Sequence, residues 1–353
     1  MSLLNKNNYQ FIDKVLISLI LLLPPALLTG PFLPDFFLSC SCLIFVFISI
    51  KNYQKKYFLN TYSYFFYIFI FYLIFSSLIS DHTLFSLKSS AVYFRFWLFI
   101  LCIWYLLDRF EYFNKYFLVS LLVAFIIAIV SGYYQFIYSE TIFGLEADPN
   151  RLLLLSSDQL LLGQYLARLF PLLVALAMYN KNNNLKVYLF VLVIFVLTDV
   201  LVYLSGERTA LGLLFLSSIL ILILIKNFRL FRFLSIIISI LFIISISVFN
   251  PNIKERNIDY TVEQLGLNNE NSDLVIFSPA HDTIIRTSLN MFLANPVFGV
   301  GPNNFRVKCS DKKYEHKKGL SCQTHPHNTY VQVLGELGII GFLFLIVINL
   351  WTL

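Results

Sequence analysis

Charged residues are scarce in this sequence of 353 residues: Asp, Glu, Lys and Arg make up 13%, whereas apolar residues make up 58%. An ordinary soluble domain is about 25% charged and roughly 45–50% apolar. So many apolar side chains, 37 of them Phe, cannot be buried in one soluble core. The scarcity of charge therefore excludes a soluble enzyme, a disordered chain and a fibrous protein, and it predicts an all-α polytopic membrane protein.

Two further features are missing. Although the net charge is +6, no Lys/Arg run resembles a nucleic-acid-binding tail, so we expect no nucleic-acid partner. The first apolar stretch is interrupted by Pro24 and Pro25 and lacks a clear small-residue cleavage site. We therefore interpret it as a retained first helix rather than a signal peptide.

Apolar stretches long enough to cross a bilayer recur along the chain, since a spanning helix needs about 20 residues. We predict ten spans, near residues 15–30, 35–50, 61–80, 91–107, 116–137, 159–179, 187–204, 209–225, 231–249 and 329–350. Connectors on one side carry twelve basic residues, whereas the alternate short connectors carry mostly Asp and Glu. The positive-inside rule then places the N-terminus in the cytoplasm.

This topology divides the chain into three parts. Residues 1–249 form a bundle of nine transmembrane helices, residues 250–328 form one large periplasmic loop domain, and residues 329–353 form a tenth helix. The polar segment is too long for a simple connector. Within it we predict a short helix over residues 283–294, with an apolar face toward the membrane domain. That face consists of Ile284, Ile285, Leu289 and Phe292.

Two of the five cysteines, Cys309 and Cys322, lie in this outer loop. The periplasm is oxidising, so we expect them to form a disulfide. Two free thiols are an alternative. A zinc site completed by His325 and His327 is another, although the spacing of these four residues is not a standard zinc pattern.

Arginines in or beside apolar spans are functional suspects, because charge is expensive there. Arg208 lies at the outer end of two predicted spans, where a guanidinium group can hold an anion bidentately. The structural alternative is an ion pair with Glu207 or Asp199. Arg168, in the outer half of its span, contributes to the same anion site or serves as a capping or ion-paired arginine.

Other charged groups have simpler interpretations. Arg95 lies early in the predicted fourth span and is expected to snorkel outward. Asp199 is expected to partner an arginine, and so is Glu336. Arg286 follows Asp282 by four residues on the predicted loop helix, which favours an exposed ion pair.

Two histidines lie where the chain returns to the membrane after the outer loop. His327 precedes Asn328 at this junction, and His325 lies two residues earlier. A histidine with an ordinary pKa near 6.5 is mostly neutral at pH 7 and can accept a proton. The alternative for a single loop histidine is an ordinary surface residue.

These motifs together resemble a known family. The first reads Asn295-Pro-Val-Phe-Gly299-Val-Gly301-Pro-Asn-Asn-Phe305, and the second reads His325-Pro-His327-Asn328-Thr-Tyr-Val-Gln-Val-Leu-Gly-Glu336-Leu-Gly338-Ile-Ile-Gly341. With the Arg208 and Arg168 segments, they resemble the O-antigen ligase and polymerase superfamily over about residues 150–350. Members have about a dozen helices, so we expect either a short member or an incomplete chain.

The resemblance implies a glycosyltransferase of the bacterial inner membrane whose active site faces the periplasm. The donor would be a glycan on undecaprenyl pyrophosphate, with lipid A–core as the acceptor and membrane lipid as a further partner. Periplasmic-side arginines would hold the pyrophosphate, and the histidine next to Asn would activate the acceptor hydroxyl. The catalytic roles map to His327, Arg208 and Arg286. The expected substrate-binding residues are Arg168, His325, Asn328, Gly299 and Gly301.

Fixed guanidinium groups would stabilise charge on the departing phosphate without a metal ion. The sequence has no Asp-x-Asp motif in a plausible metal-binding context, so we expect a metal-independent, inverting enzyme with no cofactor. An O-antigen polymerase or a protein O-oligosaccharyltransferase is the alternative within the class. A lipid-linked sugar flippase or other transporter, or a scaffold without chemistry, is the alternative outside it.

Overall fold

The computed structural model describes residues 11–146, 151–155, 159–179, 185–259, 262 and 279–352. Some connector residues that the topology prediction counted, Lys6, Asp148 and Lys181, lie outside the described residues. Ser157, in the segment that precedes Arg168, does so too. The described chain is helical, with an isolated pairing of Glu140 and Glu146 and no strand within these ranges. The protein is therefore an all-α polytopic membrane protein, as its composition predicts.

The helices follow the predicted spans closely. They are α1 (Phe11–Ala26), α2 (Phe32–Lys51), α3 (Thr61–Leu78), α4 (Thr83–Arg109), α5 (Phe113–Tyr138), α6 (Leu162–Tyr179), α7 (Leu185–Leu204), α8 (Arg208–Leu224), α9 (Lys226–Phe249), α10 (Pro251–Lys254), α11 (Pro279–Ala294), α12 (Phe305–Lys308) and α13 (Thr329–Thr352). In the described part of the chain, nine helices are long and apolar enough to cross a membrane. The span predicted near 209–225 is α8, a shorter apolar helix.

One predicted boundary, the start of the fourth span, was wrong, and this changes the positions of two basic residues. Helix α4 begins at Thr83 instead of near residue 91, so Lys88 lies in a helix and not in a connector. Arg95 is consequently near the middle of α4, where it stacks on Phe96 at 5.0 Å, rather than at an end from which it could snorkel easily. Polar residues in the first turns of α4 hid these turns from a hydropathy argument.

The described residues divide into two compact units that each combine distant parts of the sequence. Unit one comprises Met1–Phe45 and Tyr105–Thr261, and unit two comprises Val46–Trp104 and Val262–Leu353. The core of unit one is built from α5, α6, α7 and α8. Its fully buried side chains include Leu121, Phe125, Leu166, Phe170, Phe195 and Leu201.

A buried ion pair crosses the interior of unit one. Arg232 of α9 donates two hydrogen bonds of 2.8 Å to the carboxylate of Asp199 on α7, and Ser239 donates a third of 3.0 Å. The guanidinium also stacks on Phe170 and Phe195. Asp199 thus has the arginine partner that was expected. Arg232 was one of the twelve basic residues counted in the connectors, but it lies in the second turn of α9 and is only 2% exposed, packed against Phe170, Phe195 and Asp199.

Unit two packs α3 and α11 against α13. Phe344 of α13 contacts the rings of Phe65 and Phe69, while Ser288 of α11 donates a 3.0 Å hydrogen bond to the Val331 carbonyl. The predicted apolar face of α11 was rotated from the observed one. The buried stripe consists of Thr283, Ile284, Thr287, Ser288 and Met291. Small hydroxyl side chains let α11 approach the α13 backbone closely, so burial on α11 does not follow apolarity.

Candidate functional site

The connector between α7 and α8 holds one buried carboxylate. Glu207 is 6% exposed, and its Oε1 accepts a 2.7 Å hydrogen bond from the backbone N–H of Gly163 at the start of α6. A Cβ on Gly163 would collide with Ser205, so only glycine permits this approach. Gln164 and Thr209 hydrogen-bond across the same two helices. These contacts fix the beginning of α6 to the beginning of α8.

Arginines surround this carboxylate. Arg208 follows Glu207 at the first position of α8, and Arg151 and Arg168 both lie close enough to favour the charged form of Glu207. Arg256, in the helical turn Glu255–Asp259, interacts electrostatically with Arg208. We call Arg151, Arg168, Arg208 and Arg256 the arginine cluster. Arg151 and Arg168 near Glu207, together with the neighbouring Arg208 and Arg256, leave an excess of positive charge, the condition for anion binding.

Two guanidinium nitrogens in this cluster have unused hydrogen-bonding capacity. The Nε atoms of Arg151 and Arg256 are buried, and neither has a hydrogen-bond partner within the described part of the chain. Burying a donor without a hydrogen-bond partner destabilises the protein, and an anionic ligand that accepts the bond would remove this penalty. Arg232 Nε is also buried without a partner, but both terminal nitrogens of Arg232 donate to the carboxylate of Asp199, so an anionic group already occupies that guanidinium.

Burial also changes the acidity of Glu207. Desolvation raises its pKa from the ordinary 4.5 to about 7, against the opposing effects of the Gly163 N–H, Arg151 and Arg168. One carboxyl group with a pKa near neutrality therefore lies beside the arginine cluster. Glu207 was considered from sequence only as a structural partner of Arg208.

Histidines form a second cluster, in unit two. The rings of His325 and His327 are 4.3 Å apart, and His281 on α11 lies 5.4 Å from His327. We call these three residues the histidine cluster. His327 has a left-handed backbone (φ 54°), and the Asn328 side chain caps α13 by accepting a 3.1 Å hydrogen bond from the Val331 N–H. The start of α13 therefore fixes the position of His327.

The environment of His325 keeps it neutral. Partial burial, then His327 and Arg306, lower the pKa of His325 below its ordinary value, and Thr324 Oγ1 lies 2.9 Å from its Nδ1. A neutral imidazole can accept a proton. Within the described residues, no set of three or more His, Cys, Asp or Glu side chains is arranged to hold a metal ion. That finding includes the four-residue zinc alternative, because Cys309 is bonded to Cys322.

The glycine motif has a structural use in unit two. Gly299 and Gly301 have φ of 69° and 103°, and the N–H groups of Val300 and Gly301 donate to the carbonyls of Gly335 and Glu336. Helix α13 can accept these bonds because it is kinked at Gly338 (φ 63°). The motif thus pins a turn against a broken helix.

A small cavity adjoins that turn. Its volume is about 270 Å³, and its polar lining includes Ser76, Ser80, Asp81, Asn295, Gly299 and Lys308. Lys308 forms an ion pair with Asp81, which lowers the pKa of Asp81 below its ordinary value. The cavity gives Gly299 a position beside a ligand-sized space.

Other predicted residues have structural partners. Arg286 Nε pairs with Asp282 at 2.7 Å in an exposed i,i+4 arrangement, which matches the structural interpretation of that residue. Glu336 accepts a 3.0 Å hydrogen bond from the Phe305 N–H and one of 3.2 Å from the Gln332 amide. Arg306 is close enough to interact with it electrostatically, so an arginine lies near Glu336, as expected, beside these backbone and amide donors.

Sequence reasoning missed Arg151, Arg256 and His281. Arg151 and Arg256 lie in polar connectors that look like ordinary solvated loops, and folding brings them beside Arg208 and Glu207. The spacing of His281 and His327, 46 positions apart, carries no motif. Arg208 was identified because it lies at the outer end of two predicted spans. Neither Arg151 nor Arg256 lies at such a position.

The architecture defines a multi-pass membrane protein, and the arginine cluster concentrates positive charge in unit one. A family model described as O-antigen ligase matches residues 190–346. The resemblance to the O-antigen ligase superfamily is thereby confirmed over this region, which contains Arg208, Arg256, His281, His325 and His327. None of the curated proteins compared with the chain matches it. The family match supports a membrane glycosyltransferase of O-antigen ligase or polymerase type.

Proposed function

We propose that this protein transfers a glycan from undecaprenyl pyrophosphate to an acceptor hydroxyl at the periplasmic face of the bacterial inner membrane. The observation that carries the proposal is the arginine cluster. Arg151 and Arg168 lie close to the buried carboxylate of Glu207, and Arg256 lies close to Arg208, the residue that follows Glu207. A pyrophosphate is the anion whose charge and multiple oxygens suit several fixed guanidinium groups.

The chemistry is a single displacement. The acceptor oxygen attacks the anomeric carbon of the donor, and the bond from that carbon to the phosphate oxygen breaks. The acceptor proton passes to His327, and the electron pair leaves with undecaprenyl pyrophosphate. Arg208 and its neighbours stabilise the charge that develops on the phosphate oxygens, so the mechanism needs no metal ion. The anomeric configuration of the product is inverted.

The remaining candidates are assigned by their surroundings. Arg168 and Arg256 assist Arg208 in holding the pyrophosphate, while His325 and Asn328 position His327. The cavity beside Gly299 supplies hydroxyl, amide and charged groups suited to acceptor sugar hydroxyls. Arg286 is retained as a weaker catalytic candidate, because its guanidinium already pairs with Asp282.

Ligation to lipid A–core is the specific reaction that we propose, with O-antigen polymerisation and protein O-glycosylation as alternatives in the same class. The Gly-x-Gly-Pro turn and the His-Asn junction favour ligation. The topology proposed with it has a cytoplasmic N-terminus and the segment 250–328 in the periplasm, following the distribution of basic residues.

A transporter is the candidate of a different class, and buried charge is the observation that would favour it. Asp199 and Arg232 lie inside unit one, as a transport pathway would require. Their bidentate pairing, supplemented by serine hydroxyls, leaves the carboxylate occupied. A structural role therefore accounts for this pair, and the enzyme remains the better-supported proposal.

Deletion of the gene followed by gel analysis of lipopolysaccharide tests the reaction. A ligase predicts loss of all attached polymer with accumulation of lipid-linked polymer, whereas a single repeat left on the core indicates a polymerase. Unchanged lipopolysaccharide would contradict both. With purified protein and lipid-linked donor, turnover should survive a chelator, and a product that keeps the donor's anomeric configuration would exclude the single displacement.

A further inference from the structure

An apolar groove opens at the end of unit one that carries the basic connectors. Its volume is about 390 Å³, and its walls come from the first turns of α5, α7 and α9 and the last turns of α6. The wall residues include Val119, Ala177, Phe190, Phe195 and Phe228. Val119 and Phe190 are about half exposed, at 52% and 44%, so the groove opens sideways toward the surrounding medium.

Every residue that lines the groove is apolar except one. Lys115, in the first turn of α5, lies at the rim and is exposed. The ion pairs found among the described residues do not include the Lys115 ammonium. Phe195 closes the floor of the groove. Its ring also contacts the guanidinium group of Arg232, whose charge is balanced by Asp199. The groove therefore combines a long apolar channel with a single cation at its mouth.

In a membrane protein, this arrangement matches the chemistry of an acidic phospholipid. One acyl chain fills apolar space that would otherwise be void, and the ammonium group meets the phosphate at the level of the headgroups. Arg229, in the first turn of α9, lies at the same end of the helices and adds to the positive potential there. A juxtamembrane lysine attracts anionic lipid in this way. A zwitterionic lipid would gain the apolar contacts but not the net attraction.

We infer that unit one holds an acidic phospholipid, with an acyl chain in the groove bounded by Ala177, Phe190 and Phe195 and its phosphate at Lys115. This site is separate from the arginine cluster, which lies at the opposite ends of α6, α7 and α8. It does not depend on the proposed glycosyl transfer. It would give the bundle a fixed lipid on the side away from the chemistry.

The test is native mass spectrometry of the full-length protein in detergent, titrated with phosphatidylglycerol or with phosphatidylcholine of identical acyl chains. We expect phosphatidylglycerol to bind more tightly. Lys115→Ala should weaken phosphatidylglycerol binding about fivefold, the ratio expected for one lysine near an anionic surface, and leave phosphatidylcholine binding unchanged. Lys226→Ala, a lysine of the same face that does not line the groove, is the matched control and should change neither.

A second variant tests the groove itself. Ala177→Phe fills apolar space and should reduce binding of both lipids, and Ala177→Leu provides a smaller change if the larger ring disturbs folding. Equal affinity for the two lipids, or a Lys115→Ala protein that binds phosphatidylglycerol like the parent, would overturn the inference. Displacement of phosphatidylglycerol by an equal concentration of undecaprenyl phosphate would also overturn it, because the groove would then belong to the carrier lipid.

Discussion

The arginine cluster and the histidine cluster differ in what their charge can do. Guanidinium groups stay protonated at any physiological pH, so the arginine cluster offers a permanent positive field. Imidazole groups change protonation near neutrality, so the histidine cluster can give and take protons. The first is suited to holding an anion, and the second is suited to moving a hydrogen ion. In the proposed function, this contrast assigns donor binding to one set of side chains and proton transfer to the other.

The largest effect is expected at the histidine cluster. His327→Ala should lower kcat about 10²- to 10⁴-fold, the usual contribution of a general base, with little change in KM for the donor. Steady-state assays with purified lipid-linked donor measure both constants. His316→Ala, an exposed histidine of the same polar segment, serves as the control. A His327→Ala enzyme with parental kcat would remove the proton-transfer role.

Arg208→Ala should reduce kcat/KM for the donor roughly 10²- to 10³-fold, as expected when a transition-state charge loses its stabilising group. Arg208→Lys should recover part of the loss, because it keeps the charge but not the bidentate geometry. The same assays, run across pH, compare this variant with His327→Ala. If raising the pH rescued Arg208→Ala, the proposed division between the two clusters would fail.

A variant at Arg256 tests whether several arginines bind the donor or Arg208 alone does. Arg256→Ala should lower kcat/KM about tenfold, the scale of one charged hydrogen bond to the pyrophosphate. Lys254→Ala, an exposed cation two residues earlier, should have no effect. Equal behaviour of the two variants would show that Arg256 acts only through general surface charge.

Arg286 is expected to matter less. If its role is the exposed ion pair, Arg286→Ala and Asp282→Ala should each change kcat/KM no more than a few-fold and by similar amounts. If Arg286 reaches the pyrophosphate, only Arg286→Ala should impair transfer. Parallel assays of the two variants separate these outcomes, and the second would restore Arg286 to the catalytic set.

Glu207 gives the smallest and most specific effect. Its pKa of about 7 lies above the ordinary 4.5, so the folded protein binds the proton more tightly than the unfolded chain does. Its contribution to stability is therefore complete below about pH 4.5 and declines as the pH rises toward 7. Glu207→Gln should flatten this part of the stability profile in thermal unfolding measured across pH. Parallel profiles for parent and variant would argue against the raised pKa.

Hydropathy predicted the spans well because lipid requires every spanning backbone group to be satisfied within a helix. It failed where polarity and helix position separate. Thr83 begins α4 although residues near it are polar, and Arg232 lies inside α9 because Asp199 neutralises it. On α11, Thr287 and Ser288 are buried, and Ser288 hydrogen-bonds to the backbone of α13. The spacing of apolar residues does not predict the burial of these two hydroxyl side chains.

The candidate site was predictable only where chemistry coincides with a local motif. His327 was visible because it precedes the capping residue Asn328, and Arg208 was visible because it begins an apolar helix. Arg256 and His281 became candidates through tertiary contacts with residues that are distant in sequence. Sequence patterns relate residues that are close along the chain, whereas the contacts of Arg256 and His281 form only when the chain folds.

The Asp199–Arg232 pair also bears on how the bundle is assembled in the bilayer. Inserted alone, α7 would carry an unneutralised carboxylate and α9 an unneutralised guanidinium into hydrocarbon, each at a cost of about 2.5–3.5 kcal/mol at the centre of a helix. Packed together, the two helices share these charges across hydrogen bonds of 2.8 Å. Helix α8 lies between them in the chain, so membrane integration of α7, α8 and α9 is energetically a joint event rather than three separate ones.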